Sequence, residues 1–256
     1  MFDVGAAGAF RDPVAACATI LALMAPSSDS HELAREKFDT AEQAAAYSRK
    51  FVGTRKDALE KARIEAALLG VPPGSRVLDL PCGTGRMTTF LVRLGYRVTA
   101  ADASAHMLNL ARQRVTAELK ELNLPGRVEL CEQDVLALTF AAGSFDAVVC
   151  NRLFHHFSEP ATRRKALAEL ARVSKGPVVV SFFRTLSLSA LWRRILNRLR
   201  GVKQVDRIPI PLRAFREDAE SVGLVVAEVL PVRFGISPQT YVRLEQAESP
   251  RRKPAS

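Results

Sequence analysis

No stretch of this 256-residue chain approaches the about 18 uninterrupted apolar residues that a membrane-spanning helix needs. The apolar run at 14–25 is too short to span. Its upstream flank sets Asp3 and Asp12 against a lone Arg11, which is the wrong sign for a secretory signal. Cysteine is scarce: Cys17, Cys82, Cys131 and Cys150 have no C-x-x-C spacing and no paired histidine. That pattern speaks against a zinc site or a disulfide framework and for reduced thiols in a cytoplasmic protein. No metal-ligating constellation stands out. Tryptophan occurs once and tyrosine three times; Trp192 stands alone in the basic stretch, which therefore lacks the interleaved aromatics on which bases could stack. Acidic residues number 27 against 37 basic ones, a net charge of +10. The excess is local: residues 184–216 hold nine Arg or Lys against the single acid Asp206. No internal repeat is visible.

What is present is apolar content, at 48% enough for a sizeable core in one large α/β domain with additions. Residues 1–30, rich in Ala and Ser, read as a poorly ordered extension. Residues 31–70 have a helical pattern interrupted at Gly53, with Tyr47, Phe51 and Val52 facing inward. Residues 71–75 form a turn, and the domain then runs to 247. Strands are expected at 76–80, 96–101, 127–133, 145–150 and 178–183, with two more at 224–229 and 239–244 forming a closing antiparallel hairpin. Helices are expected over 87–94, 105 to about 120 with Ser104 as N-cap, 160–173 and 212–222. Residues 186–200 carry Leu188, Leu191, Trp192, Ile195, Leu196 and Leu199 at helical spacing, with Arg193, Arg194 and Arg198 on the other side. Residues 248–256 read as a disordered tail.

The chain is organised around Arg76-Val77-Leu78-Asp79-Leu80-Pro81-Cys82-Gly83-Thr84-Gly85-Arg86. A buried strand, a glycine-rich turn and a helix start make half of a nucleotide-binding βαβ unit, in which free N–H groups meet a ligand. A dinucleotide fingerprint wants glycine where Thr88 stands, and Asp79 would repel a pyrophosphate, so a nicotinamide oxidoreductase is disfavoured. A carboxylate there suits a ligand with a cationic amino-acid end. Asp102 ends the second strand 19 residues beyond Gly83, where an acid accepts hydrogen bonds from ribose hydroxyls. Asp134 follows the third strand. Three acids at the carboxyl ends of successive strands mark one ligand site, because open α/β sheets bind ligands there.

Asp79-x-Pro81-x-Gly83-x-Gly85, Asp102, Asp134 and Ser144-Phe145-Asp146-Ala147-Val148-Val149 together resemble the class I S-adenosylmethionine (SAM) dependent methyltransferases over roughly residues 38–183. The broad group is the one that includes quinone-biosynthesis methyltransferases; Pro81 departs from the family's usual glycine. The resemblance implies an α/β, Rossmann-like doubly wound seven-stranded sheet, six strands parallel and one antiparallel, with an N-terminal helical extension. It implies SAM as cofactor and S-adenosylhomocysteine (SAH) as product. Asp79, Pro81, Gly83 and Gly85 would surround the amino-acid end, Asp102 and Ala103 the ribose, Met107 the adenine face. The Asp134 carboxylate and the Val135 N–H would serve the adenine edge, and Asn151 would also touch the cofactor.

Asn151 and Arg152 would lie beside the transferred methyl and orient substrate. His155 is the candidate general base for a hydroxyl or weakly acidic carbon, with a structural or substrate-shaping role as the alternative; His156 qualifies if its ring turns inward. Tyr47 and Trp192 are further substrate candidates. The fourth strand lacks the following Pro-Pro-aromatic loop of amino-directed nucleic-acid methyltransferases. The expected activity is therefore methyl transfer to oxygen or carbon of a small, lipophilic or membrane-associated acceptor. The basic stretch would be a solvated helix face or would meet an anionic membrane. Two other readings are an RNA methyltransferase using that stretch for phosphate contacts and a non-catalytic SAM- or lipid-binding protein.

Overall fold

The computed structural model describes residues 53–124, 126–185, 208–233 and 237–247. Tyr47, Trp192, the 1–30 extension, most of the basic 184–216 stretch and the 248–256 tail lie outside the described residues. In chain order the elements are α1 (Arg55–Ala67), β1 (Arg76–Asp79), α2 (Arg86–Arg93), β2 (Arg97–Asp102), α3 (Ala105–Glu121) and β3 (Val128–Glu132). There follow β4 (Ala147–Cys150), a 3-10 turn (Phe154–His156), α4 (Pro160–Val173), β5 (Val178–Phe183), α5 (Leu212–Glu220), β6 (Leu224–Pro231) and β7 (Gln239–Gln246).

The strands form one seven-stranded sheet in the order β3-β2-β1-β4-β5-β7-β6. β7 runs antiparallel to both β5 and β6, whereas the β1–β2, β2–β3, β1–β4 and β4–β5 pairs are parallel. The chain builds outward from β1 to β3, then crosses back to lay β4 on the other side of β1. The strand order therefore reverses between β1 and β4, and a crevice opens at their carboxyl ends.

Alternation along the central strands divides the core between the two faces of the sheet. Leu78, Val148, Val178 and Val180 pack with Leu167, Leu170 and Phe215. Val77, Val149, Val179 and Tyr241 pack with Ile64 and Leu91. β4 and β5 are buried at every residue, as strands covered on both faces must be. The edge strand β3 is only partly buried and carries Glu129 and Glu132 at exposed positions. Local signals set the helix starts: Thr54 caps α1 by accepting from Asp57 N, Ser104 caps α3 by accepting from Met107 N, and Pro160 opens α4. The far end of α1 is closed from the end of the chain, where Arg243 donates to the carbonyls of Ala67 (2.9 Å) and Leu69 (2.7 Å). No helix among the described residues is long and apolar enough to cross a membrane.

Candidate functional site

Asp79 ends β1 and Asp102 ends β2, while Asp134 follows β3 after Gln133. Asp79 is fully buried. Its Oδ2 accepts from Thr88 Oγ1 at 2.7 Å, and its Oδ1 has no hydrogen-bond partner. Thr88, the residue that spoils the dinucleotide fingerprint, is thus the hydroxyl that holds the strand-end acid. Burial raises the Asp79 carboxyl to about 7, against the opposing pull of Thr88 and the Arg86 charge.

The intervening loop leaves β1 through a cis Leu80–Pro81 peptide. Gly83 and Gly85 both have positive φ, +55° and +77°. A Cβ on Gly83 would meet nothing within 4 Å, so the loop is open to a ligand there. A Cβ on Gly85 would meet Val115 Cγ2 at 3.1 Å and Ala111 at 3.2 Å, because α3 passes directly beneath. Gly83 opens the approach and Gly85 permits the packing.

Asp102 faces the same loop. Its Oδ2 accepts from Gly83 N at 2.8 Å and its Oδ1 from Ser104 N at 3.0 Å. Burial raises its carboxyl, and these backbone N–H groups oppose the rise. The Ala103 N–H also acts on this carboxylate, which still has acceptor capacity left for a ligand hydroxyl. Met107 is buried on the first turn of α3. Beyond Asp102 lies a cleft of about 240 Å³ lined by Ala103, Glu132, Gln133, Asp134, Ala137 and Thr139. Asp134 Oδ1 accepts from Leu136 N at 2.9 Å, which fixes the carboxylate in a turn at the cleft, and Val135 beside it is buried.

On the other side of the crevice, Asn151 follows β4. Its Oδ1 accepts from Ser181 Oγ at 3.0 Å and from the Tyr241 hydroxyl at 2.8 Å. The Arg152 N–H donates to Ser181 Oγ at 2.8 Å, which directs the serine proton to Asn151. Arg152 has φ +63°, a conformation a bulky residue adopts only where its surroundings enforce it. His155 is buried, its ring 4.1 Å from that of His156 and 4.5 Å from that of Phe183; His156 is half-buried. Arg163 of α4 pins the following turn through the carbonyls of Phe157 (3.3 Å) and Ser158 (2.9 Å) while pairing with Asp218 at 2.7 Å. Ile208 N donates to the His155 carbonyl and Ile210 N to that of Phe183, so residues 208–210 lie beside the histidines.

Sequence reasoning missed Thr88, Ser181, Gln239 and Tyr241. Nothing local marks the first, second and fourth, since Thr88 meets Asp79, and Ser181 and Tyr241 meet Asn151, across 9 to 90 residues; Gln239 joins through the Tyr241 hydroxyl. Among the described residues no cluster of His, Cys, Asp and Glu could hold a metal ion.

A sheet whose order reverses between β1 and β4, with acids at its strand ends beside a glycine loop, defines an α/β fold of the doubly wound type with a ligand crevice at the switch point. Residues 77–176 match the methyltransferase domain family. A demethylmenaquinone methyltransferase of Clavibacter sepedonicus is 39% identical over 114 residues, 44% of this chain and 42% of that protein. A ubiquinone biosynthesis O-methyltransferase of Xanthomonas axonopodis pv. citri is 35% identical over 117 residues, 45% of this chain and 46% of that protein. The chain thus spans less than half the length of these curated relatives. The fold superposes on magnesium protoporphyrin IX methyltransferase of Synechocystis PCC 6803 with bound SAH, with a TM-score of 0.69 at 17% identity, over 84% of this chain and 99% of the other. Residues 77–176 thus match a methyltransferase domain, on a fold whose solved neighbours hold SAH or SAM. The unpartnered Asp79 Oδ1, the open face of Gly83 and the cleft beside Asp134 fit that group.

Proposed function

We propose that the protein methylates an oxygen or carbon of a small, lipophilic, ring-bearing acceptor. The observation that carries this reading is the wall beyond β4, where buried His155 lies against Phe183 with Asn151 and Arg152 alongside. The Phe183 and His155 rings suit a ring-bearing acceptor that Asn151 and Arg152 orient, and the relatives include a demethylmenaquinone methyltransferase and a ubiquinone biosynthesis O-methyltransferase.

In this reading Asp79 and the loop carrying Pro81, Gly83 and Gly85 hold the amino-acid end of the cofactor. Asp102 and Ala103 hold the ribose, and Met107, Asp134 and the Val135 N–H hold the adenine. When bound, SAM supplies an electrophilic methyl on a sulfonium. Asn151 and Arg152 orient the acceptor, and His155 takes the proton that an acceptor hydroxyl releases, while His156 and Phe183 shape the wall. Arg184 and Ile208 flank the undescribed part of the basic stretch: Arg184 bridges to Ile210, and Ile208 N donates to the His155 carbonyl. We infer that the protein acts at the cytoplasmic face of an anionic membrane, the Arg and Lys residues of that stretch meeting lipid head groups.

The test is transfer of labelled methyl from SAM into fractionated lipid, small-molecule and RNA extracts. Label in the lipid or apolar small-molecule fraction is expected, with His155→Gln slowing transfer to hydroxyl acceptors. Label confined to RNA would replace this reading with the nucleic-acid one. SAH binding without transfer to any fraction would point to a non-catalytic binding protein.

A further inference from the structure

Arg86 is the first residue of α2, immediately after Gly85. Its guanidinium reaches across to α1, where Nη1 pairs with Asp57 and Nη2 with Glu60 at 2.6 Å. Asp57 and Glu60 are 4% and 1% exposed, so three charges have been taken out of water, an arrangement that stands only while every member is paired. Lys61 Nζ adds to Asp57 at 3.0 Å, and Lys56 Nζ lies 3.7 Å from Glu60. Burial opposes ionisation of Asp57, but the hydrogen bonds and charges of Lys61 and Arg86 hold its carboxyl below the ordinary value.

This is more than packing needs, since Ile64 already buries α1 in the core and Arg243 already closes its end. What the ion cluster adds is a rigid link from α1 to the first turn of α2. That turn carries Thr88, which holds Asp79, and directly follows Gly83 and Gly85.

We propose that Arg86 is a positioning residue of the cofactor site, whose clamp on Asp57 and Glu60 couples the docking of α1 to cofactor capture. The proposal rests on the reading that Asp79 and the glycine loop hold the amino-acid end. A coupling between two events is reciprocal: if docked α1 strengthens cofactor binding, bound cofactor holds α1 down by the same factor. Arg86 also bears on Asp79 electrically. The groups around Asp79 are Thr88 and Arg86 from α2, Asp102 from β2, Cys82 of the loop and Cys150 of β4, and Arg86 is the cation among those influences.

The experiment uses the full chain as wild type, Arg86→Gln, Arg86→Lys and the double variant Asp57→Asn/Glu60→Gln. SAH affinity is measured by calorimetry across pH, and amide hydrogen exchange over residues 55–67 is followed with and without SAH. Expected are SAH protection of α1 in the wild type and an affinity loss of about tenfold in Arg86→Gln, with that protection gone. Arg86→Lys should recover part of the affinity, since an ammonium serves one carboxylate well but not two. The pH below which SAH binding weakens should move upward in Arg86→Gln and stay near the wild-type value in Arg86→Lys, a response that a merely structural residue would not give. If Arg86→Gln does not fold, Arg86→Lys and the α1 double variant carry the same comparison. Folded variants that bind SAH with wild-type affinity and leave α1 equally protected would overturn the proposal alone. A wild type that fails to bind SAH would overturn it together with the cofactor assignment.

Discussion

The Tyr241 hydroxyl lies 2.8 Å from Asn151 Oδ1, joining two residues 90 positions apart on β7 and just beyond β4. Gln239 Nε2 donates to the same hydroxyl at 3.3 Å, and Ser181 supplies the second donor to Asn151. All four side chains are buried, so Asn151 has its carboxamide oxygen committed inside the fold. Tyr241→Phe should therefore do two things. Stability should fall by about 1–2 kcal/mol, the cost of an unmade buried hydrogen bond. SAH affinity should fall about fivefold, the equivalent of about 1 kcal/mol, as Asn151 loses its orientation. Thermal unfolding and calorimetry read the two effects separately.

Asp102 joins the loop to α3 through Gly83 N and Ser104 N. If Asp102 holds the ribose as proposed, Asp102→Ala should weaken SAH binding by about a hundredfold or more, the loss of about two charge-assisted bonds. Asp102→Asn, which keeps one acceptor oxygen, should lose less. Equal affinity in the alanine variant and the wild type would mean that the ligand does not use this acid.

The buried Asp79 carboxyl is raised to about 7 by desolvation. A group with a raised folded-state pKa stabilises the protein below its unfolded value and loses that contribution as pH rises through the folded value. The ligand-free protein should thus lose on the order of a few kcal/mol of stability between about pH 4 and 7 through this group. SAH affinity should run the other way, weakening as pH falls below about 7 and Asp79 holds its proton in place of the ligand ammonium. Asp79→Asn should raise the melting temperature at pH 8 while abolishing this pH dependence of binding. A melting temperature that does not rise would show that Asp79 is less destabilising than its burial indicates.

The two loop glycines should separate by phenotype. Gly85→Ala forces a methyl against Val115 and Ala111 at a φ of +77°, and should cost about 1–3 kcal/mol of stability. Gly83→Ala meets nothing within 4 Å, so its stability cost should be confined to the about 1–2 kcal/mol of a left-handed alanine. Its methyl would enter the space a ligand needs, so SAH affinity should drop out of proportion. Calorimetry on both variants at matched fractions folded would distinguish them.

The sequence by itself determined the local skeleton. Apolar runs marked β1, β2, β4 and β5 to within a residue or two. The Ser104 cap and the proline at 160 set helix starts, and glycine spacing marked the loop between Asp79 and Arg86. The placement of three acids at strand ends was legible for the same reason, since each is defined by its distance from a strand only four to six residues long. Element bounds, caps and loop chemistry depend on neighbours a few positions away, and a single sequence carries that information. Tertiary structure alone decided which distant side chains complete the site. Thr88 reads as a defect in a glycine fingerprint until α2 folds back over β1 and puts its hydroxyl 2.7 Å from Asp79. Ser181 and Tyr241 read as ordinary strand residues until β5 and β7 pair at that register and bring both to Asn151. Asp57, Glu60 and Arg86 look like solvated helix charges in a chain rich in them, and packing made them a buried cluster. Their partners are chosen by sheet register and helix docking, which are long-range and cooperative, so the spacing of residues along the chain contains no trace of them.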